Sequence, residues 1–335
     1  MQRLSLTGTI GPVVVLAAIS LIYLLVRPSS ANLDGLNTLI NAAAAVALAA
    51  SGVCIIAIAG GFDFSAGAAL SLVNVVVATH ISASVGSQFI MIPIGLLVGA
   101  GVGFLNGLLV TQLRIPSIVA TLATSFFWGG IALLILSQPG GSVPPEFVNW
   151  LTGNIGGFMP AALVLLFLAV GAWALFKRTR SGRAIYAVGG SPSSSRANGV
   201  NVKRTLLLAY TLGGLLYGLS GLFLTATTAS GDPNLGGPLL LPIFAAVAIG
   251  GVRFGGGYGD MVGGVIGALI LYMIADILFS LGVNSFYTNI FNGAFLLVAV
   301  GASGLGALIR FLRPARIDKA GTPLTQKSNS LGGVS

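Results

Sequence analysis

The sequence has few charged residues, one cysteine, one histidine and no glycine-lysine pair, and each shortage removes a class of function. Only 7% of its 335 residues are Asp, Glu, Lys or Arg, while 55% are hydrophobic. A soluble domain carries about 25% charged residues, so this chain has too few to cover a water-facing surface. The single cysteine, Cys54, lies in an apolar run and has no partner for an internal disulfide. The single histidine, His80, falls short of the several ligands a metal site takes. There is no His-Glu-x-x-His or paired-cysteine motif, so we expect no metal and no cofactor. The four lysines follow Phe176, Val202, Asp318 and Gln326, which excludes a phosphate-binding loop ending in Gly-Lys-Ser/Thr. No polar stretch exceeds about 30 residues, and a folded domain needs about 50. We therefore expect no catalytic residue and no nucleotide-binding domain in this chain.

What is abundant is apolar sequence in runs. A bilayer-crossing helix needs about 20 mostly apolar residues. Ten runs qualify as candidates: 9–26, 37–59, 64–80, 89–111, 118–136, 158–176, 205–226, 239–252, 262–281 and 289–309. The fold class expected is all-α, a polytopic helical membrane protein of about ten spans. The first run follows Arg3 and is longer than the roughly 7–15 apolar residues of a signal-peptide core. It reads as a retained span, although the small residues Ser29, Ser30 and Ala31 leave cleavage open. The eighth run is short and bounded by Pro238 and Pro242, which suits a half-helix or a re-entrant segment. The second and third are separated only by Gly60–Asp63, a tight break more than a loop. Residues 1–312 read as one transmembrane domain, and 313–335 as a disordered polar tail.

The net charge of +9 sits mostly at the ends of these runs. Orientation in a membrane accounts for it better than nucleic acid does. Seven of the 16 cations fall in one polar island, 177–204: Lys177, Arg178, Arg180, Arg183, Arg196, Lys203 and Arg204. Basic loops of this size stay cytoplasmic. With the island inside, Arg3, Arg114, Arg253 and the tail cations also fall inside, and the Lys- and Arg-free loop 137–157 falls outside. Arg27 alone lands on the wrong side. Both termini are then cytoplasmic.

Three local patterns stand out. Gly60–Gly67 (GGFDFSAG) is echoed by Gly250–Gly257 (GGVRFGGG), with four matches at one offset. Transporters often carry structural repeats whose broken helices line the path. Within the first copy, Asp63 sits where a helix restarts, so it reads equally as a helix-start cap or as a path residue beside Ser65. Gly99, Gly103 and Gly107, and later Gly263 and Gly267, recur at four-residue spacing, which lets helix backbones approach closely. Inside the island, Ser191 suits an N-cap, Pro192 a first helical turn and Gly199 a left-handed stop. A two-turn helix alone in water is marginal, so it packs either on its own bundle or into a cytosolic partner.

Four patches then carry a family resemblance. Gly60–Gly67 resembles the GG-x-D-x-S-x-G signature of permease subunits of bacterial ATP-binding-cassette (ABC) sugar importers of the ribose/galactose type. Pro116–Thr124 (PSIVATLAT) resembles that family's second motif, Gly182–Val202 its cytoplasmic loop, and Gly250-Gly251 with the Gly255–Gly259 cluster its late glycine-rich turn. The similarity in plan runs over roughly residues 10–310. The resemblance implies a bacterial inner-membrane location and an ATPase subunit docked on the helix after Gly190. It also implies a second permease subunit and a periplasmic solute-binding protein. The coupling residues implied are Gly182, Arg183, Tyr186, Gly189, Gly190, Ser191, Pro192, Arg196 and Gly199. Candidate path residues, taken from motif position and polarity, are Asp63, Ser65, Asn74, Thr121 and Thr124. The chain departs from the family at Ser191, where Asn is usual, at Pro242, where many carry an acid, and at Gly129, where an Arg is common. These departures leave the cargo open: a monosaccharide, or a nucleoside, polyol, furanone signal or branched-chain amino acid. An ion-coupled carrier without an ATPase is the alternative of a different class, and the scarcity of ionisable residues in the runs counts against it.

The orientation is testable by thiol labelling. A membrane-impermeant reagent added to intact spheroplasts should modify Ser142→Cys, and should modify Ser193→Cys only after the membrane is opened. The reverse pattern would invert the topology.

Overall fold

In a computed structural model, residues 7–283 and the isolated positions 287, 290, 293 and 294 are described. The candidate span 289–309 lies almost wholly outside these residues, as do Arg3 and the tail 313–335. The described chain is helical apart from one two-residue hairpin. Its helices are α1 (Thr7–Val26), α2 (Leu33–Ile58), α3 (Ala66–His80), α4 (Val85–Thr111), α5 (Ser117–Ile135), α6 (Pro145–Thr152), α7 (Ala161–Phe176), α8 (Arg180–Gly190), α9 (Pro192–Ala197), α10 (Val202–Thr228), α11 (Leu240–Ile249) and α12 (Met261–Ser280). Between α6 and α7, β1 (Asn154–Ile155) pairs antiparallel with β2 (Met159–Pro160).

Short polar side chains start many of these helices, as capping chemistry dictates. The Asn32 side chain accepts from Gly35 N at 2.7 Å. Ser84, Thr179, Ser191, Asn201 and Asp260 do the same for α4, α8, α9, α10 and α12. Helix α2 is buried along almost its whole length, from Leu39 to Ile58. A helix apolar all round belongs in the interior, and α2 is the axis on which α10, α12, α11 and α7 pack. Helices α4, α5 and α7 keep large apolar side chains exposed, among them Leu97, Phe126, Phe167 and Leu168.

Among the described residues, five helices are long and apolar enough to cross a membrane: α2, α4, α5, α10 and α12. Helix α7 joins them only as a pair with α8, bent by 82°. Ile10–Val26, α3 and Gly237–Ile249 are apolar but shorter. The remaining apolar runs of the sequence fall on these shorter helices and on α7, or, for 289–309, almost wholly outside the described residues. The island 177–204 is also not a loop: α8 and α9 fill most of it, with Gly182, Ile185 and Val188 of α8 turned inward.

Arg27, the cation on the unexpected side, is not free. Its Nη1 lies 2.5 and 2.6 Å from the two oxygens of Asp276 on α12, and the Tyr23 hydroxyl donates to the same carboxylate at 2.8 Å. The pair gives the off-pattern cation a partner.

The glycine spacing closes the bundle. Gly95, Gly99, Gly103 and Gly107 line one face of α4 against α10. A Cβ at Gly103 would lie 2.1 Å from the Tyr210 carbonyl oxygen, and one at Gly214 would lie 2.3 Å from that of Gly99. Gly263 and Gly267 bring α12 against Gly250 and Ala246 in the same way. Both glycine series therefore pack inside the subunit.

Gly103→Val should destabilise the fold by about 3 kcal/mol or more, the upper end of overpacking costs, read as a lowered thermal midpoint in detergent. Gly101→Ala, with nothing within 4 Å of the added carbon, should hold or raise that midpoint.

Candidate functional site

Two features carry the chemistry that the sequence points to, and they meet. The first is the turn from α7 through α8 to α9. Thr179 Oγ1 accepts from Gly182 N at 3.1 Å and starts α8. Ser191 Oγ accepts from Ser194 N at 3.3 Å and starts α9. Pro192 is its first residue, and Gly199 closes it with φ +78°. Only Ser195 of α9 is buried, and Pro192, Arg196 and Gly199 are exposed. On α8, Arg183 and Gly190 are exposed, Gly182 is buried, and Tyr186 is half-buried beside Trp173, 6.4 Å between ring centroids. The corner is fastened by Asp260. Its carboxylate pairs with Lys177, accepts from Trp173 Nε1 at 3.1 Å, and caps the start of α12. Nothing in the sequence near Asp260 announces this, since its partners are more than 80 residues away.

Gly189 is the point of contact between this corner and the helix breaks. A Cβ there would sit 1.8 Å from the Ile58 carbonyl oxygen and 2.6 Å from Gly257 N. Gly257 N itself donates to that oxygen at 2.8 Å. Gly60, Gly256 and Gly257 all have positive φ, where glycine is the default residue. The two echoing segments, Gly60–Gly67 and Gly250–Gly257, thus converge on Gly189. Their aromatic residues meet as well: the Phe62 ring stacks on Phe254 at 5.4 Å, and Phe244 lies 5.0 Å from Phe64 and 5.8 Å from Phe254.

The second feature is the break between α2 and α3. Asp63 is fully buried, and its Oδ1 accepts from Ser65 N at 2.9 Å and from Ser65 Oγ at 2.6 Å. Asn106 Nδ2 donates to Ser65 Oγ at 2.7 Å. Thr121 Oγ1 accepts from Phe64 N at 3.1 Å, Ser117 Oγ from Phe62 N at 3.3 Å, and the Tyr210 hydroxyl donates to the Phe62 carbonyl at 2.9 Å. Asn106 and the buried Tyr217 hydroxyl face the Asp63 carboxylate in the same interior. Asp63, Ser65 and Thr121 are brought together here as a backbone clamp. Asn74 lies apart, farther along α3: its Nδ2 donates to Thr225 Oγ1 and the Ser230 carbonyl, and its Oδ1 accepts from Asp232 N. Thr124 lies one turn beyond Thr121 and donates to its carbonyl. Tyr210, Tyr217 and Asn106 belong to no local motif, and the groups they meet lie far away in sequence.

Asp63→Ala leaves the Ser65 amide and hydroxyl without their acceptor. It should cost about 2 kcal/mol or more, as buried hydrogen bonds to a carboxylate do. An unchanged thermal midpoint would show that the carboxylate does not hold the break.

Residues 35–300 match the family described as branched-chain amino acid transport system / permease component. Among characterised proteins, the chain is 33% identical over 294 residues to the ribose import permease protein of Bacillus subtilis, covering 87% of this chain and 91% of the relative. It is 30% identical over 293 residues to the ribose import permease protein of Escherichia coli K12, covering 85% and 91%. It is 31% identical over 314 residues to the galactose/methyl galactoside import permease protein of the same organism, covering 88% and 94%. No solved structure matches the chain.

Proposed function

Because the chain belongs to the family of branched-chain amino acid transport system / permease components, we propose that it is the membrane subunit of an ATP-driven importer in a bacterial inner membrane. In this reading residues 1–312 form one transmembrane domain of ten spans, with both termini and the tail 313–335 in the cytoplasm. The short α3 and α11 are two of those spans, each completed by the non-helical segment beside it. A periplasmic binding protein delivers the solute, a second permease subunit completes the path, and ATP is hydrolysed on a separate subunit. The cargo is a monosaccharide or a related small polar solute, in keeping with the ribose and galactose permeases that the chain resembles over most of its length.

The observation that carries this reading is α9. It is six residues long, capped at both ends and exposed on nearly every side chain. A helix so short has little stability of its own in water, and it stands on α8, whose end is fitted by backbone contact to both helix breaks. A partner that seats α9 gains a handle on those breaks. Binding of ATP would close the partner ATPases and move α9, and Gly189–Gly190 would carry that movement to the ends of α2 and α11. Among the coupling residues Gly182, Arg183, Tyr186, Gly189, Gly190, Ser191, Pro192, Arg196 and Gly199, the exposure of Arg183, Gly190, Pro192, Arg196 and Gly199 supports direct contact with the ATPase. Gly182, Tyr186 and Gly189 would act from behind them, within the support of α9.

A pull-down from detergent-solubilised membranes tests this, comparing the native chain with an Arg196→Glu, Gly199→Pro double variant that inserts normally. The native chain should bring down an ATP-binding protein, and the variant should lose most of it. If the native chain comes down alone and membranes still move solute, a solitary carrier takes the place of the importer.

A further inference from the structure

The non-helical stretch after α10 does not stay at the surface. Ser230 and Asp232 are hydrogen-bonded to Asn74. Farther on, Gly236 N donates to Ser71 Oγ at 2.8 Å, and the Gly236 backbone is so close to Gly67 that a Cβ on either would overlap the other's carbonyl. From Asn74 to Gly67 is two turns of α3, about 10 Å along its axis. The chain therefore enters the bundle beside α3 before α11 begins. Asn234 of this stretch, and Gly237 and Pro238 of the 3-10 turn that leads into α11, remain exposed.

Irregular backbone at bilayer depth is tolerated only where it is buried in protein or lines water, because lipid satisfies no amide. The face that this stretch presents is thus not a lipid face. It forms one wall of a groove of about 460 Å³, whose other walls are α3 and α5. That volume lies within the roughly 300–1,000 Å³ of small-molecule sites. The groove offers the hydroxyls of Ser71 and Ser125, the amide of Asn234 and the rings of Phe64 and Phe126. No Asp, Glu, Lys or Arg is among its described lining residues. Asp232, two residues before Asn234, is engaged by the Asn234 backbone amide.

We propose that this groove is the aqueous wall of the translocation path and that it passes a neutral polyhydroxylated solute. This rests on the importer reading above and names the residues that meet the cargo. Ring faces suit the C–H face of a sugar, and hydroxyl and amide groups suit its hydroxyls. A zwitterion would have to leave both charges unpaired there. Asp63, Ser65 and Thr121 act one layer behind, holding Phe64 in the wall.

Single-cysteine variants in membranes containing the whole importer decide the matter, since the one native cysteine, Cys54, is buried. Ser125→Cys and Asn234→Cys should react with charged, water-soluble methanethiosulfonates at least about tenfold faster than Leu168→Cys on the exposed apolar face of α7, because only a wetted wall admits such reagents. Equally slow reaction at all three sites would overturn the proposal. A cationic and an anionic reagent, each scaled to its rate with a free thiol, should modify Ser125→Cys within about threefold of each other, as expected where no charged lining biases the local potential. A larger bias would overturn the neutral cargo. The outcome is separable from the pull-down: an unlabelled groove with a captured ATPase removes the path and keeps the importer. A labelled groove without an ATPase keeps the path and removes the importer.

Discussion

In a hydrocarbon environment a backbone amide without a partner costs several kcal/mol, and among the described residues this chain interrupts its helices inside the bundle at three places. Most of what is unusual in its sequence serves those interruptions. After α2, Ser117, Thr121 and Asp63 accept from Phe62 N, Phe64 N and Ser65 N, and Tyr210 donates to the Phe62 carbonyl. After α10, Asn74 and Ser71 accept from Asp232 N and Gly236 N, while Gly231 and Gly140 exchange a pair of backbone bonds. After α11, Gly257 N finds the Ile58 carbonyl at the end of α2. The polar side chains scattered through apolar runs are thus largely committed to the backbone, and few are left over for a solute.

That commitment explains what was legible in the sequence. Helix α9 was legible because its beginning and end are short-range chemistry: Ser191, Pro192 and Gly199 act on residues within four positions of themselves. The glycine rows of α4 and α12 were legible as packing faces for the same reason, since the four-residue period is local. The length of the helices was not, because an apolar run such as 239–252 extends past the helix it contains, α11 (Leu240–Ile249). The break at Gly60–Ser65 could be read from Gly60 and Asp63, but not that Asn106, Tyr210 and Tyr217 close around it, since each approaches from a helix far away in sequence. Of the path residues suggested by motif position, Asp63, Ser65, Asn74 and Thr121 are fully buried and bonded, and Thr124 is half-buried. The groove proposed as the path wall reaches Phe64, the residue between Asp63 and Ser65.

The basic-loop count has a similar lesson in Arg27. A count of cations treats each as independent, whereas Arg27 and Asp276 are held together across 249 positions by two contacts of 2.5 and 2.6 Å. A neutral pair carries little orienting charge, so Arg27 does not oppose an orientation set by the cations of 177–204. Asp260 plays the matching part at the other end of α12, where Lys177 and Trp173 converge on it.

The contact at Gly189 has a mechanical meaning. Where side chains separate two elements, rotamer changes absorb part of any displacement, and the joint is compliant. Here Gly189 meets Ile58, Gly256 and Gly257 backbone to backbone, so there are no rotamers to yield. Such a joint is stiff in compression. In the importer reading, a push on α8 would reach the end of α2 and the glycine turn after α11 together, so the two would move in step and a one-sided opening that leaks would be avoided.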